Sequence, residues 1–226
     1  MFIKVCGTTS EDDALLAVAM GASAVGFIFA PSPRQVTPQK VADIVKRLPR
    51  DEVLTVGVFR DEAPRRVVEI VYAAGLQAAQ LHGRETAEQT RWVRERVPMV
   101  IKAFPAGDVR VPRAAEYGAD AVLLDAAHPG SGQVFDWALA ADVPEGQRLV
   151  VAGGLDPDNV GSAITRVRPW GVDVVSGVEA SPGVKDPMKL KAFIEAAKHA
   201  QAQVEAASMS RSARLADGPY DWAEDE

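Results

Sequence analysis

The chain has 226 residues, 47% of them hydrophobic, a formal net charge of −6 and one cysteine. That length suits one large domain with a sizeable core. The charge argues against a nucleic-acid surface, and a lone thiol excludes both an intramolecular disulfide framework and any multi-cysteine metal site.

In chain order, eight short apolar runs stand out: FIKVC at 2–6, AVGFIF at 24–29, LTVGVF at 54–59, AAQLH at 78–82, MVIKAF at 99–104, AVLLD at 121–125, LVVAG at 149–153 and VDVVS at 172–176. Continuous apolar runs of this length are what parallel strands buried on both faces require. Helical patterns lie between them. Ser10 followed by Glu11, Asp12 and Asp13 opens the first, Thr37-Pro38 the second and Asp156-Pro157 the seventh. Gly21, Gly75, Gly118 and Gly171 sit at helix-to-strand joints, where a glycine in the left-handed region ends a helix. Eight βα units predict an α/β fold, a single (β/α)₈ TIM barrel of eight parallel strands, in preference to a doubly wound open sheet. The barrel domain is expected over 1–207. Residues 208–226 lose periodicity, end in Asp221, Glu224, Asp225 and Glu226, and read as a flexible acidic tail. No apolar run approaches the ~20 residues of a membrane span. The N-terminus enters a strand without a signal-type segment. A cytoplasmic protein without membrane or nucleic-acid partner is expected, as a monomer or homodimer.

Reactive side chains cluster where these strands end. Glycine-bearing turns follow the seventh and eighth strands: Gly153-Gly154, and Ser176-Gly177. Glycines let backbone N–H groups approach an anion, and these two loops are the usual phosphate site of a barrel. The plain alternative is that they only permit tight turns. Cys6 and Asp125 close the first and sixth strands. Cys6 is either an inert buried hydrophobe or a base, and as a base its thiol must ionise more easily than the usual ~8.5. Asp125 is either a helix cap or a catalytic carboxyl. Alternation puts Lys4 on the face of Cys6, so an inward Lys4 needs an acidic partner such as Asp173. Arg34, in the loop after the second strand, has the fork that holds a carboxylate. His82, after the fourth, can titrate, bind a hydroxyl or anchor its loop. The histidines stand apart at 82, 128 and 199, so no metal cluster is expected. No nucleotide phosphate loop or dinucleotide fingerprint appears. These residues describe a cofactor-free barrel enzyme acting on a small phosphate ester by proton transfer.

The segments KVCG, FAPSPR, VGVF, QLHG, LLD, GSGQVFDW, AGGLDPDNV, GVDVVSGVE and PGVKD, in this order and spacing, resemble the phosphoribosylanthranilate isomerases of tryptophan biosynthesis. The resemblance implies an Amadori rearrangement of N-(5′-phosphoribosyl)anthranilate to 1-(2-carboxyphenylamino)-1-deoxyribulose 5-phosphate. On it, Asp125 is the acid that opens the furanose ring and Cys6 the base that removes the C2′ proton. Arg34 faces the anthranilate carboxylate, with His82 and Asp173 as further substrate contacts. Gly153, Gly154, Ser176 and Gly177 hold the phosphate. The chain departs from the family in carrying Val175 where a first serine is usual. If backbone N–H groups hold the phosphate, the valine costs little. Two other readings use the same scaffold: a bifunctional or histidine-pathway aminoaldose isomerase, and a non-catalytic phosphosugar-binding module. The first generally uses two aspartates rather than a Cys/Asp pair, and the second expects the acid or base to be lost.

Overall fold

The computed structural model describes residues 1–126 and 136–216, with side chains described through Met209. Eight parallel strands close on themselves in chain order: β1 (Phe2–Val5), β2 (Ala24–Ile28), β3 (Leu54–Phe59), β4 (Ala78–Leu81), β5 (Met99–Pro105), β6 (Ala121–Asp125), β7 (Leu149–Val151) and β8 (Gly171–Val174). Closure is made by β1 against β8, with Lys4 beside Asp173 in register. After β8 a short antiparallel pair, β9 (Glu179–Ser181) and β10 (Val184–Lys185), folds over the C-terminal rim.

Local sequence sets the helices. Ser10 accepts from the Asp13 amide at the start of α1 (Glu11–Met20), and Thr37 caps α2 (Pro38–Val45), whose Pro38 occupies the first turn. A third helix, α3 (Pro64–Ala73), precedes α4 (Ala87–Arg94), which opens with a reciprocal Thr86–Gln89 capping box. Two crossovers predicted to be helical are 3₁₀ turns instead, Val111–Tyr117 and Trp137–Asp142. The first carries Pro112 in its opening turn and a non-helical Arg113, and neither span is long enough to sustain α geometry.

Three boundaries differ from the sequence reading. The helix expected to open at Asp156-Pro157 begins later, as α5 (Val160–Val167), because Asp156 Oδ1 accepts the amides of Asp158 and Asn159 in a turn of its own. Gly171 is not a helix terminator. Arg168 takes the left-handed conformation in that joint (φ 52), while Gly171 starts β8 because a Cβ there would lie 2.6 Å from the Phe2 carbonyl. Finally, α6 (Pro187–Ala216) runs past Ala207 through residues assigned to the tail. The stretch from 201 to 216 has lost its apolar period, yet it is rich in helix formers and contains no glycine or proline until Gly218-Pro219. The rest of the tail, His128 and most of the GSGQVFDW segment lie outside the described residues.

Two apolar layers result. Ala24, Val56, Ala78, Ile101, Leu123 and Val150, drawn from six strands, pack together inside the barrel. Val25, Phe27, Val151 and Phe193 belong to the layer between strands and helices. Among the described residues no helix is long and apolar enough to cross a membrane. The interior is filled, so chemistry is confined to the rim where the strands end.

Candidate active site

Period-two alternation aims Lys4 and Cys6 of the first strand into the barrel, and closure brings Asp173 of β8 against them. Lys4 Nζ donates to Asp173 Oδ1 at 2.9 Å with both groups buried, which is the pairing the sequence requires. Burial alone would lower the Lys4 ammonium. Asp173 and Cys6 opposite it outweigh that and push it above its ordinary value. Burial pushes the Asp173 carboxyl up against the pull of Lys4, and Asp125 adds to the rise while His82 opposes it.

Cys6 lies at the end of this network, 2% exposed. Burial pushes its thiol above the ordinary thiol range, and the attraction of Lys4 only partly offsets the rise. The direction is opposite to the easier ionisation expected of a base from the sequence. Space for the sulfur comes from Gly26 on β2, where a Cβ would stand 2.6 Å from Cys6 Sγ.

Asp125 ends β6 with its Oδ1 accepting the Ala126 amide at 2.8 Å. The Gln80 side-chain amide contacts His82 Nδ1 at 2.9 Å, so Nε2 is the ring nitrogen that meets Asp125 Oδ2, at 3.2 Å. The loop carrying His82 is fastened from below. Buried Lys102 donates to the carbonyls of Leu81 and Gly83 and to Glu85, whose carboxylate in turn accepts the amides of Asp61 and Gly83. His82 thus both anchors locally and positions the carboxyl.

Arg34 reaches the rim over Gly7, whose φ of 71° and missing Cβ give it room; a Cβ there would be 2.7 Å from Arg34 Cδ. Its fork does not stand free, as a carboxylate-binding loop arginine would suggest. Nε and Nη2 already hold Glu179 at 2.8 and 2.6 Å. Nη1 has no partner among the described residues, which leaves that end of the guanidinium for a second acceptor.

The glycine turns meet across the β7 and β8 ends. Gly153 and Gly154 both have positive φ (78° and 63°), and Gly177 is packed on Leu155 with no room for a side chain. Asn159 ties the first turn by donating to the Gly154 carbonyl and accepting from the Asp156 amide. Among the described residues, the amides of Gly153, Gly154, Ser176 and Gly177 have no protein acceptor, the condition for an anion to bind there. Gly153 has a further duty, since a Cβ on it would lie 2.9 Å from Asp125 Oδ1. The Val175 side chain packs toward Gly7, its Cγ1 3.1 Å from where a glycine Cβ would be.

All nine sequence-predicted residues therefore lie on one rim. Four others were missed: Gly26, Gln80, Glu179 and Lys185. The last two lie inside the SGVE and PGVKD segments, so their positions were conspicuous although their partners were not.

The family model described as N-(5′-phosphoribosyl)anthranilate (PRA) isomerase matches residues 3–196. The N-(5′-phosphoribosyl)anthranilate isomerase of Desulforudis audaxviator is 47% identical over 205 residues, 88% of this chain and 98% of its own length. A crystal structure of the phosphoribosyl anthranilate isomerase from Thermus thermophilus is 42% identical with a TM-score of 0.81, covering 87% of this chain and 98% of that one. Another, of an isomerase in complex with reduced 1-(o-carboxyphenylamino)-1-deoxyribulose 5-phosphate, is 42% identical with a TM-score of 0.78, covering 88% and 99%. The Thermotoga maritima enzyme is described as dimeric. A closed barrel, a Cys/Asp pair on its rim and a match along most of the length converge, and the chain belongs to the N-(5′-phosphoribosyl)anthranilate isomerase family.

Proposed function

We propose that this barrel isomerises N-(5′-phosphoribosyl)anthranilate to 1-(2-carboxyphenylamino)-1-deoxyribulose 5-phosphate, in tryptophan biosynthesis, with Cys6 and Asp125 as the proton carriers. The observation that carries the reading is the disposition of one thiol and one carboxyl on strand ends that share the rim with four backbone amides lacking an acceptor among the described residues. The phosphate binds those amides on Gly153, Gly154, Ser176 and Gly177. Asp125, held by His82, gives a proton to the furanose oxygen and the ring opens to a Schiff base. Cys6 takes the C2′ proton, the electrons move into an enolamine, and tautomerisation gives the ketone. Lys4 supplies the cation beside the thiolate as it forms. Arg34 meets the anthranilate carboxylate through Nη1, and Oδ2 of Asp173, which has no donor among the described residues, accepts from a sugar hydroxyl. We place the reaction in the cytoplasm, because a free thiol base needs a reducing compartment.

General acid and base groups contribute about 10²- to 10⁴-fold each. Purified protein should therefore quench the fluorescence of freshly generated phosphoribosylanthranilate rapidly, and folded Cys6→Ala and Asp125→Ala variants should do so at least about a hundredfold more slowly. A folded wild type that leaves the fluorescence unchanged would refute the isomerase assignment. Strong turnover by either variant would remove that residue from its role.

A further inference from the structure

Glu179 and Lys185 form a buried charge cluster on the rim that the acid–base scheme does not use. Glu179 Oε1 accepts from Arg34 Nε (2.8 Å), Lys185 Nζ (3.2 Å) and the Gly183 amide (3.2 Å), and Oε2 accepts from Arg34 Nη2 (2.6 Å). Lys185 Nζ spends its other two protons on the carbonyls of Cys6 (2.7 Å) and Val175 (3.2 Å). Every donor of this ammonium and both oxygens of this carboxylate are therefore engaged. Burial alone would raise Glu179, yet Arg34 and Lys185 hold it below the usual carboxylate range.

Glu179 alone would neutralise Arg34 and leave no net attraction for an anion. Lys185 restores it, since two cations and one anion sum to +1. With the Nε–Nη2 edge taken, rotation of the guanidinium is fixed, and both protons of Nη1 with the second proton of Nη2 remain to bind. Arg34 lies over Gly7, the residue that follows the proposed base, with its Cδ 2.7 Å from where a Gly7 Cβ would be.

We infer that Glu179 and Lys185 are positioning residues that make Arg34 a selective receptor for the aromatic carboxylate of the substrate. Glu179 sets the angle, and Lys185 cancels the charge Glu179 brings. The inference rests on the isomerase reading and on Arg34 as its carboxylate contact. A preorganised arginine–carboxylate contact of this kind is worth about ten- to a hundredfold in affinity.

Two inhibitors separate this role from a merely structural one: a reduced product analogue bearing the ring carboxylate, and the same compound with an unsubstituted phenyl ring. Glu179→Ala should weaken the carboxylated inhibitor about tenfold or more and leave the phenyl compound within about twofold, with KM rising and kcat nearly unchanged. Glu179→Gln, which retains one acceptor for Arg34, should recover part of the loss. Lys185→Met should lose the carboxylated compound selectively while keeping Arg34 in place. In an Arg34→Ala background, Glu179→Ala should add less than about twofold, because coupled residues are non-additive. If Glu179→Ala does not fold for want of a partner to Lys185, the Glu179→Gln comparison carries the test alone. Selective loss in Arg34→Ala but equal weakening of both compounds in the Glu179 variants would overturn the inference and leave the isomerase reading standing. A wild type that binds both compounds equally would overturn both.

Discussion

Gly177 offers the sharpest quantitative test of the proposed phosphate cradle. A methyl group at this position would lie 2.0 Å from the Leu155 carbonyl oxygen and 2.9 Å from Asp156 Cα, where real Cβ atoms essentially never approach within 3.0 Å. The obstacle is backbone, so no rotamer change relieves it. The β7 and β8 loops must separate by at least the difference, 3.0 − 2.0 = 1.0 Å. Overpacking of this kind costs about 1–3 kcal/mol. In a domain of this length that lowers Tm by about 2–12 °C. The amides proposed to hold the phosphate move with the loops, and a displacement near 1 Å can reduce catalysis by about a hundredfold. Gly177→Ala should therefore raise KM and the inhibition constant of inorganic phosphate together, in steady-state assays run well below its Tm. Gly146→Ala is the control. Gly146 also has a positive φ (83°), but nothing lies within 4 Å of its missing Cβ. It should lose about 1–2 kcal/mol of stability from the left-handed backbone alone, with KM unaltered. A Gly177→Ala enzyme whose KM and phosphate inhibition stay within about threefold of wild type would refute the cradle, since the packing leaves no way to accommodate the methyl without moving those amides.

The resting thiol predicts a pH dependence. Because burial pushes Cys6 up and catalysis follows the thiolate fraction, kcat/KM should climb with pH through neutrality and beyond the ordinary thiol range. Lys4→Met removes the cation that opposes the rise, so the limb should move to still higher pH, in parallel with the ultraviolet thiolate absorbance of this single-cysteine chain. An unmoved limb would remove Lys4 from control of the base. The same change strands Asp173 in the interior and should cost about 3–5 kcal/mol in denaturant unfolding, with partial recovery in Lys4→Met/Asp173→Asn. Gly26→Ala would place a methyl 2.6 Å from Cys6 Sγ. It should lower kcat by about a hundredfold by displacing the sulfur, while circular dichroism shows an intact barrel; near-normal turnover would show that the thiol needs no fixed seat.

The eight strands were legible because parallel strands in a closed barrel are buried on both faces, so each run is apolar end to end and bounded by turn chemistry. The Lys4–Asp173 pair was legible for a related reason: alternation forces Lys4 inward, and an inward lysine demands an anion. What could not be read was partnership across long separations. Arg34 looked like an unoccupied receptor because Glu179 is 145 positions away, on a turn whose path depends on the closed ring. Gly26 looked like an ordinary strand residue because its purpose is the space it leaves for a side chain on β1. Gly171 shows the converse error. A glycine near a helix end invites a conformational explanation, whereas here it permits close strand packing and Arg168 makes the turn.

The β1–β8 seam gives the proposed base its surroundings: it joins residues 169 positions apart at Lys4–Asp173, and beyond it Lys185 of β10 reaches the Cys6 carbonyl across 179 positions. Contacts of such long range are the slowest for a chain to acquire, because loop closure comes before any reward. A polypeptide that has formed seven strands but not the eighth already contains Lys4, Cys6 and Asp125, yet lacks Asp173, the counter-ion of Lys4, and Lys185, which holds the Cys6 carbonyl. Nascent chains released early should thus be chemically silent, with an accessible thiol of ordinary reactivity. Competence appears in one step with the shutting of the ring, and the lone cysteine doubles as a timer of that event.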